Sequence, residues 1–329
     1  MRNAEIISSG MHVPDRILPN SYFNALLGED VDTWLVENLT IRERRWCGPD
    51  ESTADLCVNA AEKILNNAGL SPDKIDLLII STDTPEYISP STASVVQHRL
   101  GAVNAGTFDV NTACAGFVTA LDIGSKYIRA DKKYNKGLVI GAYAMSKYLD
   151  LSDKKTVTLF ADGAAGVLLS ANEDETRGFL TSDLYTEGKY CDWMGIYAGG
   201  THLPVTKEVI DNKDHLLKFV KKFPKEINPT TWTRMIKSSC NELNIKPEDI
   251  DHYFLTQINI NSIWETMDNL GVDRSRAHTI MDRFAYTGSA CIPMAFADAF
   301  GKGRIKKGDL ACFVGSGGGL AFASSVFRL

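Results

Sequence analysis

The sequence predicts a layered α/β protein made of two related halves, and three observations carry that expectation. Short, nearly continuous apolar runs alternate with helical patterns, as in a sheet covered on both faces. The 329 residues suit roughly two domains or one large duplicated one. An internal match also runs without a gap, laying Ala61–Thr82 on Ile236–Gln257 with Pro72 on Pro247 and Ile75-Asp76 on Ile250-Asp251. Farther on, Lys136-Gly137 before one apolar run resembles Lys307-Gly308 before another. The period is too long for a solenoid. Two packed halves, residues 1–172 and 173–329, are the expectation.

The elements follow in order. Ser52/Thr53 is a helix-capping pair, and Thr53–Asn67 carries Leu56, Ala60, Ile64 and Leu65 on one stripe. Ile75–Thr82 reads as a buried strand. Ala113–Ala130 places Phe117, Ala120, Leu121, Gly124, Tyr127 and Ile128 at helical spacing. Gly137–Gly141, Val157–Phe160 and Ala165–Ser170 read as further strands of the first half. Tyr253–Thr256 and Leu310–Gly315 read as strands of the second.

Composition excludes several classes. Hydrophobic residues at 44% and charged residues at 23% are ordinary for a globular chain, so disorder and collagen-like repeats are excluded. With 41 acidic against 35 basic side chains the net charge is -6, which argues against a nucleic-acid partner. No run approaches the roughly eighteen apolar residues of a membrane span, and residues 1–10 lack a signal-peptide pattern. A cytoplasmic protein is expected. The seven cysteines are odd in number, scattered and without CxxC spacing. Free thiols are therefore expected, with neither a disulfide framework nor a metal site.

One cysteine stands apart. In Phe108-Asp-Val-Asn-Thr-Ala-Cys114-Ala-Gly-Phe117 a strand-like run ends at Asn111, and a helix is expected to start at or just before Cys114. A thiol in a helix's first turn feels the positive end of the macrodipole, which lowers its pKa and favours the nucleophilic thiolate. Small neighbours Ala113, Ala115 and Gly116 leave room for a substrate. The run Val314-Gly-Ser-Gly-Gly-Gly-Leu320 can cradle phosphate at a helix start or bring a backbone N–H close to a reacting carbonyl.

Asn111-Thr-Ala-Cys114-Ala-Gly-Phe117 resembles the nucleophile motif of the 3-oxoacyl-ACP synthase III enzymes of the thiolase superfamily. The resemblance runs nearly end to end. It includes Gly10-Met-His-Val-Pro14, Asp32-Thr-Trp34-Leu-Val36 and Ile41-Arg-Glu-Arg44. It continues through Phe160-Ala-Asp162-Gly, Gly303-Arg-Ile-Lys-Lys-Gly-Asp309 and Gly317-Gly-Gly319. It implies a thiolase-like, duplicated five-layered αβαβα fold and a homodimer. It implies acylation of Cys114 by an acyl-CoA or acyl-ACP thioester, with the Cys114 and Gly318 N–H groups holding the thioester oxygen. No cofactor beyond the phosphopantetheine thioester of the substrate is implied.

The chain departs from this family where the family adds a histidine and an asparagine. The histidine motif, His-Gln-Ala-Asn, falls on Thr256-Gln257-Ile258-Asn259. The asparagine motif falls on Tyr286-Thr-Gly-Ser-Ala290, so Tyr286 takes the asparagine position. Hydroxyls donate hydrogen bonds but are no bases near neutral pH. Acyl transfer through Cys114 is thus easier to retain than decarboxylative condensation, with Thr256 and Tyr286 as donors. His202, in a loop that the family sets near the pocket, is a candidate substitute base.

The entrance also differs. Trp34 matches a tryptophan that stacks on CoA adenine, but the arginine four residues on is Asn38. The family's Gly-Asn beside the pantetheine arm is Val220-Lys221. Lys218, Lys221, Lys222 and Lys225, with Arg42, Arg44 and Arg45, form basic groups suited to an acidic acyl carrier protein. Ser89 falls where the family inserts a chain-length-limiting residue into the partner's pocket, which points to a longer or broader acyl group. Trp34, Ser89, His202, Lys221 and Asn259 are the expected substrate-binding residues. The expected function is an acyltransferase (acyl groups other than amino-acyl) of a specialised fatty-acid or polyketide-type pathway. A malonyl-ACP condensing enzyme with a changed site and a non-catalytic subunit are the alternatives.

Overall fold

In the computed structural model, which describes residues 2–329, the two repeated segments take the same local structure. Helix Thr53–Ala68 starts at Ser52 with a reciprocal capping box to Asp55 and ends at Gly69, φ 62. Helix Ile227–Leu243 ends at the equivalent Asn244, φ 55. Both ends need the left-handed conformation, which glycine adopts freely and asparagine tolerates. A proline-led 3-10 turn follows in each, Pro72–Lys74 or Pro247–Asp249, then the buried strand Leu77–Ser81 or His252–Leu255. Asp76 accepts from the Asn135 and Lys136 N–H groups, and Asp251 from that of Leu310. This register equates Lys136 with Leu310, so the Lys307-Gly308 likeness is out of register and lies in the preceding turn.

The first sheet has the spatial order Asn3–His12, Asp162–Asn172, Lys136–Ala144, Leu77–Ser81, Gly106–Val110. The second runs Gly178–Thr186, Ala321–Arg328, Leu310–Gly317, His252–Leu255. Each begins with two antiparallel pairings and turns parallel at its far side. In the second sheet a single parallel bridge from Tyr253 to Ala277 occupies the fifth place. Helices Gly116–Ala130 and Cys291–Gly301 lie between the sheets. Thr53–Ala68 and Thr92–Leu100 cover the outside of the first sheet. Ile227–Leu243 covers the second, with Ile260–Leu270 packed on it. This is the five-layered αβαβα arrangement of the thiolase fold.

Some expected elements differ. Val157–Phe160 is no strand: Lys154–Val157 is a short helix capped by Asp153, and only Phe160 pairs, in a bridge to Tyr286. The strands Asn3–His12, Gly178–Thr186 and Ala321–Arg328 were not legible as apolar runs. Serines interrupt all three, yet Ser8 and Ser9 are buried with their hydroxyls bonded to the Ile64 and Gly166 carbonyls at 2.7 and 2.9 Å. A satisfied hydroxyl sits in a core at little cost. Among the described residues no helix is long and apolar enough to cross a membrane.

Phe313, on the second sheet, joins that sheet to the middle helices. Its ring lies 6.5 Å from Phe117 and 5.3 Å from Phe296, centroid to centroid. Phe254 and Phe327 flank it within the sheet. Truncation should leave a cavity that this packed layer cannot close. Phe313→Ala is expected to cost about 3–5 kcal/mol in denaturant unfolding.

Candidate active site

A forced turn delivers Cys114. After the strand Gly106–Val110, the Asn111 side chain accepts the Ala113 N–H at 3.0 Å, and Ala113 takes φ 45. A residue with a Cβ is strained there, as commonly found where a side chain must be aimed. The Ala115 and Gly116 N–H groups then bond back to the Thr112 and Ala113 carbonyls. The helix begins only at Gly116, so Cys114 precedes its first turn rather than lying in it. From the second half, the strand Leu310–Gly317 presses against this turn. A Cβ on Gly317 would lie 2.5 Å from the Thr112 carbonyl oxygen and 2.6 Å from the Cys114 nitrogen.

Cys114 lines a cavity of about 810 Å³ together with Tyr286, Ser316, Gly317 and Gly318. Its outer wall is largely apolar, from Leu35, Leu39, Leu159, Phe219, Phe223 and Ile258. Among the described residues, neither the Cys114 nor the Gly318 N–H is taken up by a backbone turn or loop hydrogen bond. Tyr286 is buried, and it shares the cavity wall with Cys114. Its backbone is held by the first half: the Tyr286 N–H donates to the Leu159 carbonyl and its carbonyl accepts the Ala161 N–H.

The thiol's electrostatics reverse the sequence expectation. Burial pushes the Cys114 pKa well above the ordinary thiol value. The Asp83 carboxylate pushes the same way, and the Tyr286 phenol opposes both. Burial also raises Tyr286, so its phenol keeps its proton and remains a donor.

Thr256 does not reach the cavity. It is wholly buried, and its hydroxyl accepts the Ser316 N–H at 2.9 Å, inside the second sheet. A threonine is short enough to close on the adjacent strand. Gln257 is also committed, donating to the His278 carbonyl and accepting the Ile280 N–H. Asn259 does line the cavity, where it caps helix Ile260–Leu270 through the Asn261 N–H. His202 is exposed and off the cavity wall, because its loop closes on itself through the Gly199 N–H and the Leu203 carbonyl. Ser89 is exposed and off its own chain's cavity, beside the exposed Tyr87 and Ile88.

At the mouth, Trp34 and Lys221 line the cavity. Asn38, in the arginine position, turns its amide onto the Trp34 carbonyl. Lys221 pairs with Asp192 at 3.3 Å and Lys218 with Asp214, whereas Lys155, Lys222 and Lys225 have no acidic partner among the described residues. Arg44 is not part of any basic surface. It is fully buried over the Phe23 ring and donates to the Asn20 side chain and the Thr158 carbonyl. Burial lowers its pKa to about 9. Lys154, Lys155 and Asn228 were missed in the sequence. Asn228 Oδ1 is buried without a partner, and the residue lies on the cavity wall. No motif marks it.

Comparisons with known proteins fit this geometry. A family model described as 3-Oxoacyl-[acyl-carrier-protein (ACP)] synthase III matches residues 108–188, and its C-terminal counterpart matches residues 240–329. The Beta-ketoacyl-[acyl-carrier-protein] synthase III of Clostridium perfringens (strain SM101 / Type A) is 35% identical over 333 residues, covering 100% of both chains. Among solved structures, the 3-oxoacyl-[acyl-carrier-protein] synthase III of Aquifex aeolicus VF5 superposes with a TM-score of 0.88 at 28% identity, covering 99% of this chain and 100% of that one. The corresponding synthase from Pseudomonas aeruginosa PAO1 gives 0.90 at 27% identity, covering 99% and 98%.

The Thr256 hydroxyl satisfies a buried backbone N–H. Thr256→Val is expected to lower unfolding free energy by about 1–3 kcal/mol, the cost of leaving that donor unpaired. Denaturant melts of the two proteins measure it.

Proposed function

The chain belongs to the 3-oxoacyl-ACP synthase III family, and on that premise we propose that it is an acyltransferase working through an acyl-Cys114 intermediate. The Cys114 sulfur attacks a thioester carbonyl, the carrier thiol leaves with the proton, and an acceptor then takes the acyl group. The Cys114 and Gly318 N–H groups hold the developing oxyanion. Tyr286 donates to the sulfur side of the site and orients the acceptor. The apolar cavity holds the acyl chain and pantetheine arm, with Trp34, Asn259 and Lys221 along the entrance.

The observation that carries this reading is the placing of Cys114, Tyr286 and Gly318 on one cavity wall, with Thr256 turned into the sheet. Decarboxylating a malonyl thioester calls for two donors on its oxygen. With Thr256 committed elsewhere, simple transfer is favoured over condensation. The unpaired Lys155, Lys222 and Lys225 support an acidic acyl carrier protein as the donor's carrier. The exposed Tyr87 and Ile88 beside Ser89 support a homodimer in which that segment meets a second copy.

Intact-mass measurement after incubation with a panel of acyl-ACP and acyl-CoA thioesters tests the reading. Wild type should gain one acyl group, and Cys114→Ala none. No gain on wild type, or an equal gain on Cys114→Ala, overturns the proposal. No gain together with a stable complex with a homologous chain would instead establish a non-catalytic subunit. Release of carbon dioxide from malonyl-ACP would establish condensation.

Tyr286→Phe removes the side-chain donor that lowers the thiol pKa. Its acylation rate is expected to fall about 10²–10³-fold in stopped-time mass assays, the usual loss for one preorganised donor.

A further inference from the structure

Two polar side chains on the cavity wall have no part in the reaction outlined above. Asn228 stands in the first turn of helix Ile227–Leu243 and lines the cavity. Its Oδ1 is sealed from solvent and accepts no hydrogen bond. Nor is it spent on the helix end, which follows Glu226 without a side-chain cap. Ser262 stands in the first turn of helix Ile260–Leu270, whose cap is supplied by Asn259. Ser262 is buried and lines the same cavity, and its hydroxyl has no partner among the described residues. The two helices pack against each other, so the cavity receives both groups from one layer of the fold.

The same two segments give the wall Phe223, Ile227 and Ile258. An orphaned acceptor among such neighbours costs stability and needs a reason. The indole N–H of Trp232, one helical turn on, is also buried and unpaired. The spacing would let the two residues meet, yet no bond joins them, and Trp232 is off the cavity wall. A ligand is the remaining partner. Cavities that take up apolar chains use a few polar groups to fix orientation.

The donor set narrows the ligand. Asn228 Oδ1 needs an N–H or O–H, and the Ser262 hydroxyl both donates and accepts. A carboxylate or phosphate offers Oδ1 no donor. An ammonium group would meet the unpaired Lys222 and Lys225 of the same cavity. An uncharged amide or hydroxyl satisfies both residues.

We propose that Asn228 and Ser262 form a polar subsite that fixes the substrate chain in the cavity by hydrogen bonds to an uncharged amide or hydroxyl. Two sources carry that chemistry: an amide of the carrier's pantetheine arm and a hydroxyl on the acyl chain. The proposal rests on the acyl-transfer reading for what enters the cavity, but it is tested by binding alone, with no bond made or broken.

The probes are S-hexyl pantetheine, its analogue with esters in place of both amides, and S-(ω-hydroxyhexyl) pantetheine. These thioethers cannot acylate Cys114. Calorimetry gives their affinities for wild type, Asn228→Leu and Ser262→Ala. If the arm is bound, wild type should prefer the amide over the ester compound by about 10-fold, and the variants should lose most of that preference. If the acyl chain is bound, wild type should prefer the hydroxyhexyl over the hexyl compound by a similar factor, again lost in the variants. Discrimination of neither pair by wild type, or undiminished discrimination in both variants, overturns the proposal. Thermal melts separate a ligand role from a structural one. Asn228→Leu replaces an unpaired polar group by an apolar one of similar shape, so it should melt at or above wild type. A lower melting point, or failure to fold, makes Asn228 a partner within the fold and overturns its assignment. Failure of wild type to acylate with these preferences intact would sink the acyl-transfer reading and leave the subsite standing.

Discussion

Two glycines on the strand Leu310–Gly317 set how closely the halves meet. A Cβ on Gly315 would lie 2.8 Å from the Ala115 Cα, and one on Gly317 would intrude on Thr112 and Cys114. Only bare backbone fits at these two points. That approach brings the Gly317-Gly318 segment against the thiol and makes one cavity wall from residues about two hundred positions apart in the sequence. The Ala113 turn supplies the other face of the contact. Without the close approach, Cys114 would be one more covered thiol at a helix entrance.

The repeat was the most legible feature because it rests on backbone requirements. A left-handed helix end, a proline-led turn and an aspartate that ties the next strand recur at matching positions, whatever the side chains between them. Elements whose burial depends on partners far away were harder to read. The serine-bearing strands look polar until their hydroxyls find carbonyls across the layers. Val157–Phe160 looks like a strand by apolarity alone, yet Asp153 caps a helical turn there. At the site, Cys114, Tyr286 and the glycine run were legible through motif order. Thr256 was not, since its orientation is set by the Ser316 N–H on a neighbouring strand. Arg44 shows the same limit: nothing in a run of three cations among residues 42–45 marks the one that lies over Phe23.

Desolvation is the largest influence on protonation in the site. A buried thiol with no cation beside it stays protonated, and the phenol on the same cavity wall does too. Exchanging imidazole and carboxamide for two hydroxyls therefore changes more than the number of donors. It moves the site from one that stores a proton near neutral pH to one that must find a place for it. The rim is of opposite character, with unpaired lysines around the mouth of a chain whose net charge is -6.

Tyr286 belongs to the second half, yet its backbone is gripped at 3.0 and 2.8 Å by Leu159 and Ala161 of the first. Trp46 fastens the same strip through the Phe160 carbonyl, and Asp162 binds it to the Cys47 and Ser146 N–H groups. The phenol is therefore a pointer mounted across a seam. Its distance from the thiol measures the alignment of the two halves, and a shift of that seam would misdirect the pointer while each half stayed folded. Lesions far from Cys114, along the seam, would then silence the protein long before they unfold it.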